Sequence, residues 1–336
     1  MNSTYNVQFE KMCHVLNLGE LIKPPEAITG GLLHRMFAIE TTQGKYAIKV
    51  LNPLIMARPT AKGNYILSEN IVRIASSRVP AQPAKILKGS FLQNIDNQYY
   101  MVFDWVEGNS LKVREITPDH CKKIGTILAE IHDTDFSQLG RLDQNLNIMR
   151  AIDWDLYLHK GRQSNAVWAD LLQSNLERLL AWNEKALRSF KLLAAEKVYS
   201  HRDLDPKNVM WDNGQPVIID WESAGEINPA HDLIETAVYW STNETGGIDK
   251  DKFLAFVEGY QDDHGKVNAD WEIVLELGYL SKLEWLEYSL KRSLQIECTD
   301  EREQEMGTHH VIETINALKK YEEMTSNLKA WLIDLK

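Results

Sequence analysis

One stretch of this chain, Tyr199–Glu222 (YSHRDLDPKNVMWDNGQPVIIDWE), constrains the fold more than any other. Val209-Met210-Trp211 is short and β-prone, Asp212-Asn213-Gly214 carries the Asn-Gly pair of a tight hairpin turn, and Gln215 to Ile219 reads as the returning strand. A hairpin fixes what lies at its open end. Asn208, just before the first strand, and Asp220, just after the second, are therefore expected at the same end of two paired strands. His201-Arg202-Asp203 opens the loop that leads in, and Pro206 stiffens it.

These residue types, in this order, match phosphoryl transfer, which needs a carboxylate to orient the attacking hydroxyl and oxygen ligands to hold Mg²⁺ on a triphosphate. Asp203 is the candidate base. Asn208 and Asp220 are candidate Mg²⁺ ligands, because that hard cation prefers oxygen. Upstream, Lys49 lies in the strand-like run Ala47-Ile48-Lys49-Val50 and is the candidate phosphate-binding cation. Glu69, on a predicted helix, is its expected partner, ahead of Glu40 at a strand end. Thr29-Gly30-Gly31 is a candidate phosphate-covering turn, since glycine lets backbone N–H groups approach anionic oxygens. The backbone of Phe103-Asp104-Trp105-Val106 is expected to read an adenine edge. No GxxxxGK[ST] is present, which excludes a P-loop.

The rest of the chain sorts into two parts, expected to divide at residues 1–105 and 106–336. In the first, Leu32–Glu40 and Lys45–Val50 read as strands around Gly44, and Asn64–Arg78 has the apolar spacing of one helix closed by Pro80. Ala84–Leu92 and Gln98–Val106 read as two further strands around the turn Gln93–Asn97. In the second, Cys121, Ile124, Ile127, Leu128 and Ile131 fall three and four apart on a helix from Asp119 to about His132. Residues 154–197 and most of 234–336 are also expected to be helical. Trp154, Trp168, Trp182, Trp240, Trp271, Trp285 and Trp331 there are expected in packing rather than in a pocket. The fold class is therefore α+β: a small antiparallel sheet carrying one helix, then a large mainly helical part.

Composition excludes more than it identifies. The 336 residues suit two lobes rather than one core, and no apolar run approaches the roughly eighteen residues of a membrane helix. The N-terminus lacks the basic and apolar pattern of a secretory signal. Cys13, Cys121 and Cys298 are few, odd in number and widely spaced, so a reduced, cytoplasmic setting is expected with each as a small buried hydrophobe. A net charge of −11 argues against nucleic acid or an anionic membrane as partner and accords with a cationic small molecule.

The residues above resemble the aminoglycoside phosphotransferase and choline kinase superfamily, from Gly30 to about Trp240. The resemblance rests on Lys49, Val106-Glu107-Gly108 to Leu111, Leu128-Ala129-Glu130-Ile131-His132, His201-Arg202-Asp203 to Asn208, Asp220-Trp221-Glu222 and His231-Asp232-Leu233. It implies a protein-kinase-like bilobal fold, with Asp203 as base, Asn208 and Asp220 on magnesium, and Lys49 on phosphates. It also implies that Asp232 is a structural acid supporting the catalytic loop. The chain departs from aminoglycoside members in carrying Arg202 where they usually have Gly, and from Ser/Thr protein kinases in carrying Asp205 where they have Lys. Ten residues between Asp220 and His231 leave no room for an activation segment, so a small-molecule rather than a protein substrate is expected. Arg202 is expected to pair with nearby carboxylates.

The leading expectation is an ATP- or GTP-dependent O-phosphotransferase acting on a small, amine-bearing molecule, with an aminoglycoside-type antibiotic favoured. Choline, homoserine and sugars stay open as acceptors, and a non-catalytic nucleotide-binding scaffold is the alternative from another class. Glu235, Asp262, Asp263, Glu284 and Glu287 are the acidic candidates for holding a substrate amine.

Overall fold

The computed structural model describes residues 4–28, 33–139 and 150–335. Compactness divides the chain into two units: one comprises the chain up to Leu111 with Thr134–Phe136 and His201–Gly225, the other Lys112–Asp133, Ser137–Ser200 and the chain from Glu226.

In the first unit, strands β1 (Glu26–Ile28), β2 (Arg35–Thr41), β3 (Gly44–Val50), β4 (Gln93–Ile95) and β5 (Gln98–Asp104) form an antiparallel sheet in the order β1-β2-β3-β5-β4. The two-residue period of β3 decides where its lysine goes. Ile48 and Val50 face a core that includes Met12, Cys13 and Leu16 of helix α1 (Phe9–Leu16). Lys49 takes the opposite face, in register with Met36 on β2 and Met101 on β5. On that face Met101 packs with Met56, at the end of the short helix α2 (Pro53–Met56), and with Tyr65 on α3 (Ala61–Ala75).

Two expectations for this region need correction. Helix α1 was not foreseen, because eight residues show too little of a helical period to stand out. Ala84–Leu92 is not a strand: left-handed Lys88 and Gly89 turn it back on itself, leaving only a Leu87–Ser90 bridge. The hairpin turn is Asp96-Asn97, both left-handed as a two-residue turn of this type requires, so Gln93–Ile95 belongs to the sheet.

Five further strands are short: β6 (Asn109–Ser110), β7 (Val198–Ser200), β8 (Val209–Asp212), β9 (Gln215–Ile218) and β10 (Gly225–Ile227). In the first unit β8 and β9 form the expected Asn-Gly hairpin, and β6 pairs on the outer side of β8. Gly108 makes that last pairing possible. Its φ is +102°, and a Cβ there would stand 2.2 Å from the carbonyl oxygen of Trp211. Strand β9 is also tied to the chain that follows α3. The Ile218 N–H donates to the Pro80 carbonyl at 2.7 Å, and the Gln82 N–H donates to the Ile218 carbonyl at 2.9 Å.

The second unit is helical: α4 (Pro118–His132), α5 (Trp154–Gln163), α6 (Ala169–Ser174), α7 (Leu176–Leu193), α8 (Pro229–Ser241), α9 (Lys250–His264), α10 (Trp271–Leu277), α11 (Leu280–Ser293) and α12 (Glu301–Asp334). Strands β7 and β10 pair beside these helices. Helices α4 and α9 meet backbone to backbone, because a Cβ on Gly125 or Gly259 would lie 2.1 Å from a carbonyl oxygen of the other helix. Trp154, Trp168 and Trp182 fill a core closed by Leu283, Leu286 and Leu318. Trp240 and Trp271 are buried too, whereas Trp285 and Trp331 are only half-buried. Cys13 and Cys121 are buried and free, as expected, and Cys298 is half-buried.

Candidate active site

The hairpin carries its polar residues as its register dictates. Val209 opposes Ile218, and the Ile219 N–H continues the ladder to the Asn208 carbonyl at 2.9 Å, which sets Asn208 beside the strand end that leads into Asp220. The Asn208 amide nitrogen donates to the Asp203 carbonyl at 2.8 Å and to Asp203 Oδ2 at 2.9 Å. Both of its hydrogens are thereby used, and Oδ1 is left as an acceptor.

His201 braces the loop from beneath. The Asp203 N–H donates to its Nδ1 at 3.2 Å, so the ring proton sits on Nε2 and is given to the Ile219 carbonyl at 3.0 Å. The ring meets Trp221 edge-on, centroids 4.7 Å apart, and Trp221 Nε1 donates to the Ile218 carbonyl at 3.1 Å. Arg202 and Asp220 are left-handed, with φ of 63° and 61°. For a long side chain such as Arg202 that conformation costs roughly 1–2 kcal/mol, and the hydrogen bonds on either side hold it there.

Burial pushes the Asp203 carboxyl up to about 7. The Lys207 ammonium, 3.7 Å from Oδ1, opposes this, while Asp205 and Asp220 add to it and the Asn208 hydrogen bond works against it. The Asp203 side chain keeps 35% of its surface open, so it remains reachable. The sequence reading gave Lys207 no role. It arrives there because Asp205 caps the one-turn helix Pro206–Asn208 by accepting from the Lys207 N–H at 2.9 Å. Lys207 thus stands four residues after Asp203, while Asp205 occupies the position two residues after it.

Lys49 is buried, 4% exposed. Its Nζ is 2.5 Å from Asp220 Oδ1 and 2.7 Å from Glu222 Oε2. Burial alone would lower its pKa, but the two carboxylates raise it well above the ordinary lysine value. The expected Lys49–Glu69 pair is not formed. Glu69 is buried, 2.6 Å from Arg73 Nη2, and accepts from the Ala84 N–H at 2.9 Å. Burial pushes the Glu69 carboxyl up to about 7, with Arg73 and the Ala84 hydrogen bond resisting. Glu222, which the sequence reading left without a role, also lies 3.3 Å from His34 Nε2.

At the end of β5, Phe103 and Asp104 are in register with Ala47 and Tyr46. Asp104 holds Lys85 at 2.6 Å, the Trp105 N–H donates to the Lys45 carbonyl at 3.3 Å, and the Lys45 ammonium sits over the Trp105 ring at 3.7 Å. Val106 makes no backbone hydrogen bond among the described residues. Gly30 and Gly31 lie outside the described residues. Arg202 is exposed and forms no ion pair among the described residues, against the expectation that it would pair with carboxylates.

In the second unit Asp232 is buried, 2.9 Å from His132 Nε2, and His132 Nδ1 is 2.8 Å from the Tyr260 hydroxyl. Although burial opposes it, the His132 hydrogen bond keeps the Asp232 carboxyl below its ordinary range. Of the acidic candidates, Glu235 accepts from Ser281, Glu287 accepts from the Tyr157 hydroxyl at 2.7 Å with Lys291 at 3.2 Å, and Asp262 holds Lys122 at 3.0 Å. Asp263 and Glu284 are exposed.

No group of three or more His, Cys, Asp or Glu among the described residues could hold a metal ion. The donor set at the loop, one carboxylate and one carboxamide oxygen, suits Mg²⁺, which keeps several waters and takes its other ligands from phosphates. No helix among the described residues is long and apolar enough to cross a membrane.

Residues 25–272 match the model of the phosphotransferase enzyme family, and the chain belongs to that family. It is an enzyme, a small-molecule kinase. The homoserine kinase of Methylobacillus glycogenes is 24% identical over 260 residues, 76% of each chain. Among solved structures, spectinomycin phosphotransferase in complex with ADP and spectinomycin superposes with a TM-score of 0.64 at 14% identity, covering 94% of this chain and 99% of its own. Choline kinase from Cryptosporidium parvum Iowa II gives 0.57 at 12% identity, covering 92% and 93%. Likeness at that identity concerns the fold, which is the expected α+β, kinase-like one.

Proposed function

We propose that the protein transfers the γ-phosphate of ATP or GTP to a hydroxyl of a small, amine-bearing molecule. The observation that carries this reading is the lock between Asn208 and Asp203, which presents a carboxylate oxygen and a carboxamide oxygen from one loop while Asp220 stands at the adjoining strand end. Asp203, raised toward neutrality and still open, suits a base that orients and accepts the proton of an incoming hydroxyl. Lys207 beside it supplies positive charge where the transferred group gathers negative charge. Lys49 is a buried, fully charged cation of the kind that grips α- and β-phosphates. The unpaired backbone of Val106, after Phe103, Asp104 and Trp105, suits an adenine or guanine edge. Asn208 Oδ1 and the Asp220 carboxylate would hold Mg²⁺, which would supply positive charge to neutralise the phosphates.

An aminoglycoside-type acceptor is the favoured reading, and the kinship with a homoserine kinase favours an amino-acid alcohol as the second. Glu235, Glu287 and Asp262 are already paired, so the amine of the acceptor is better sought at other groups. A cytoplasmic setting accords with three unbridged cysteines. The test is nucleoside-diphosphate release from ATP or GTP with Mg²⁺ across aminoglycosides, amino alcohols, homoserine and sugars, with Asp203→Asn as control. A signal that survives in that variant would sink the assignment of Asp203. Nucleotide binding with silence across the panel would favour the non-catalytic scaffold.

A further inference from the structure

We infer that Glu222, braced by His34 and Tyr65, is the residue that positions Lys49 for the nucleotide, and that Glu69 is not. This rests on the phosphotransferase reading above. Lys49 has two anionic partners, Asp220 and Glu222. If Asp220 serves the cation that accompanies the triphosphate, it cannot also fix the lysine. A second anion must keep the ammonium aimed, and Glu222, at 2.7 Å, is already there.

Glu69 is committed elsewhere. Its carboxylate joins Arg73, one turn on in α3, to the Ala84 N–H, and so fastens the helix to the segment beyond it. The helix reaches Lys49 by a different residue. Tyr65 lies one turn before Glu69, and its hydroxyl is 2.5 Å from His34 Nε2. The Asn52 N–H donates to His34 Nδ1 at 2.9 Å, so this nitrogen is an acceptor and the ring proton sits on Nε2. That N–H faces both the Tyr65 hydroxyl and Glu222 Oε2, the same oxygen that receives Lys49. His34 and Tyr65 are both buried, which fixes the ring and with it the carboxylate. Tyr65, His34, Glu222 and Lys49 thus form one chain of polar contacts in which a tyrosine and a histidine hold the lysine's acid from behind. In water-poor surroundings a group with fixed partners positions its charge far better than a mobile one.

The test is the affinity of the full chain for ATP by calorimetry, with Mg²⁺ and with EDTA. Glu222→Gln is expected to weaken binding roughly 10-fold or more with Mg²⁺, one tenfold step being about 1.4 kcal/mol, and less in EDTA, where Asp220 is free to hold the lysine. Glu222→Asp should recover part of that loss, and Glu69→Gln should stay within about twofold of the parent. In a Lys49→Met background Glu222→Gln should add nothing, because the lysine it positions is gone. Tyr65→Phe, which keeps the ring and removes only the hydroxyl, should weaken ATP several-fold and likewise lose its effect in Lys49→Met; it decides the matter if Glu222→Gln does not fold. A loss with Mg²⁺ that persists undiminished in Lys49→Met would make Glu222 a cation ligand and overturn the inference. So would an equal loss in Glu69→Gln. If the parent binds neither ATP nor GTP, the phosphotransferase reading itself fails. If the parent binds, Lys49→Met weakens it and neither Glu222→Gln nor Tyr65→Phe does, only the inference fails.

Discussion

Asn208 donates both hydrogens of its side-chain amide to Asp203, one to the main-chain carbonyl and one to the carboxylate. One residue thereby fixes where the Asp203 carboxylate points and leaves its own Oδ1 as an acceptor, the atoms that the proposed function assigns to the base and to a cation. Asn208→Ala removes both functions. Turnover is expected to fall at least about 10²-fold, since misplacing a reacting group by an ångström has an effect of that size. Retention of a tenth or more of the parent rate under saturating substrates would argue against this.

Asp203→Asn keeps the size and the hydrogen-bonding reach of the side chain but cannot take a proton. The chemical step should drop roughly 10²–10⁴-fold while ATP affinity stays within a few-fold of the parent. Single-turnover kinetics and equilibrium binding, measured on the same preparation, separate the two effects.

Asp220→Ala should leave nucleotide binding indifferent to magnesium. Titrating ATP into the variant with and without Mg²⁺ checks this. A preserved magnesium enhancement would move the cation to other ligands.

The Asp203 carboxyl is raised to about 7 in the fold, against roughly 3.9 in an unfolded chain. The folded state therefore favours the protonated form. The stability this group contributes is fully present below the unfolded value and is lost as pH rises through about 7. In nucleotide-free protein kept in EDTA, the difference in Tm between Asp203→Asn and the parent should move in favour of the variant from pH 4.5 to pH 8. A difference that does not change with pH would contradict the raised carboxyl.

Gly125→Ala tests the helical unit rather than the site. The new methyl would meet the Phe256 carbonyl of α9 at 2.1 Å, so the two helices must separate. A loss of about 1–3 kcal/mol is expected from overpacking of this kind. Denaturant melts of the variant, compared with Gly214→Ala, calibrate the result. Gly214 has no atom near its Cβ position, but its φ of +77° strains an alanine through the backbone alone.

The parts of this site that were legible in the sequence are those governed by local geometry. An Asn-Gly hairpin has one sensible register, so Asn208 and Asp220 follow from spacing alone. Likewise the alternation of Ile48, Lys49 and Val50 separates the lysine from the core. Partners were less legible, because they depend on where distant segments pack. Glu69 lies on the expected helix, yet its carboxylate turns to Arg73 and Ala84, and it is Tyr65 that connects to Lys49 by way of His34 and Glu222. His34 precedes β2 with nothing in its neighbourhood to mark it, and Glu222 was visible only as part of Asp-Trp-Glu. Lys207 had a signal, its place inside the His201–Asn208 run, but its approach to Asp203 depends on the cap made by Asp205.

The ties between β9 and Pro80–Gln82, and between Lys49 and Asp220 across 171 positions of chain, also govern when the site comes into being. Closing so long a loop carries an entropic cost that must be met before any contact compensates it, and such contacts form late in folding. During synthesis, the sheet that carries Lys49 is complete long before its acidic partners leave the ribosome. Until they do, it holds a lysine on an unfinished face, so nucleotide binding should be among the last properties that this chain acquires.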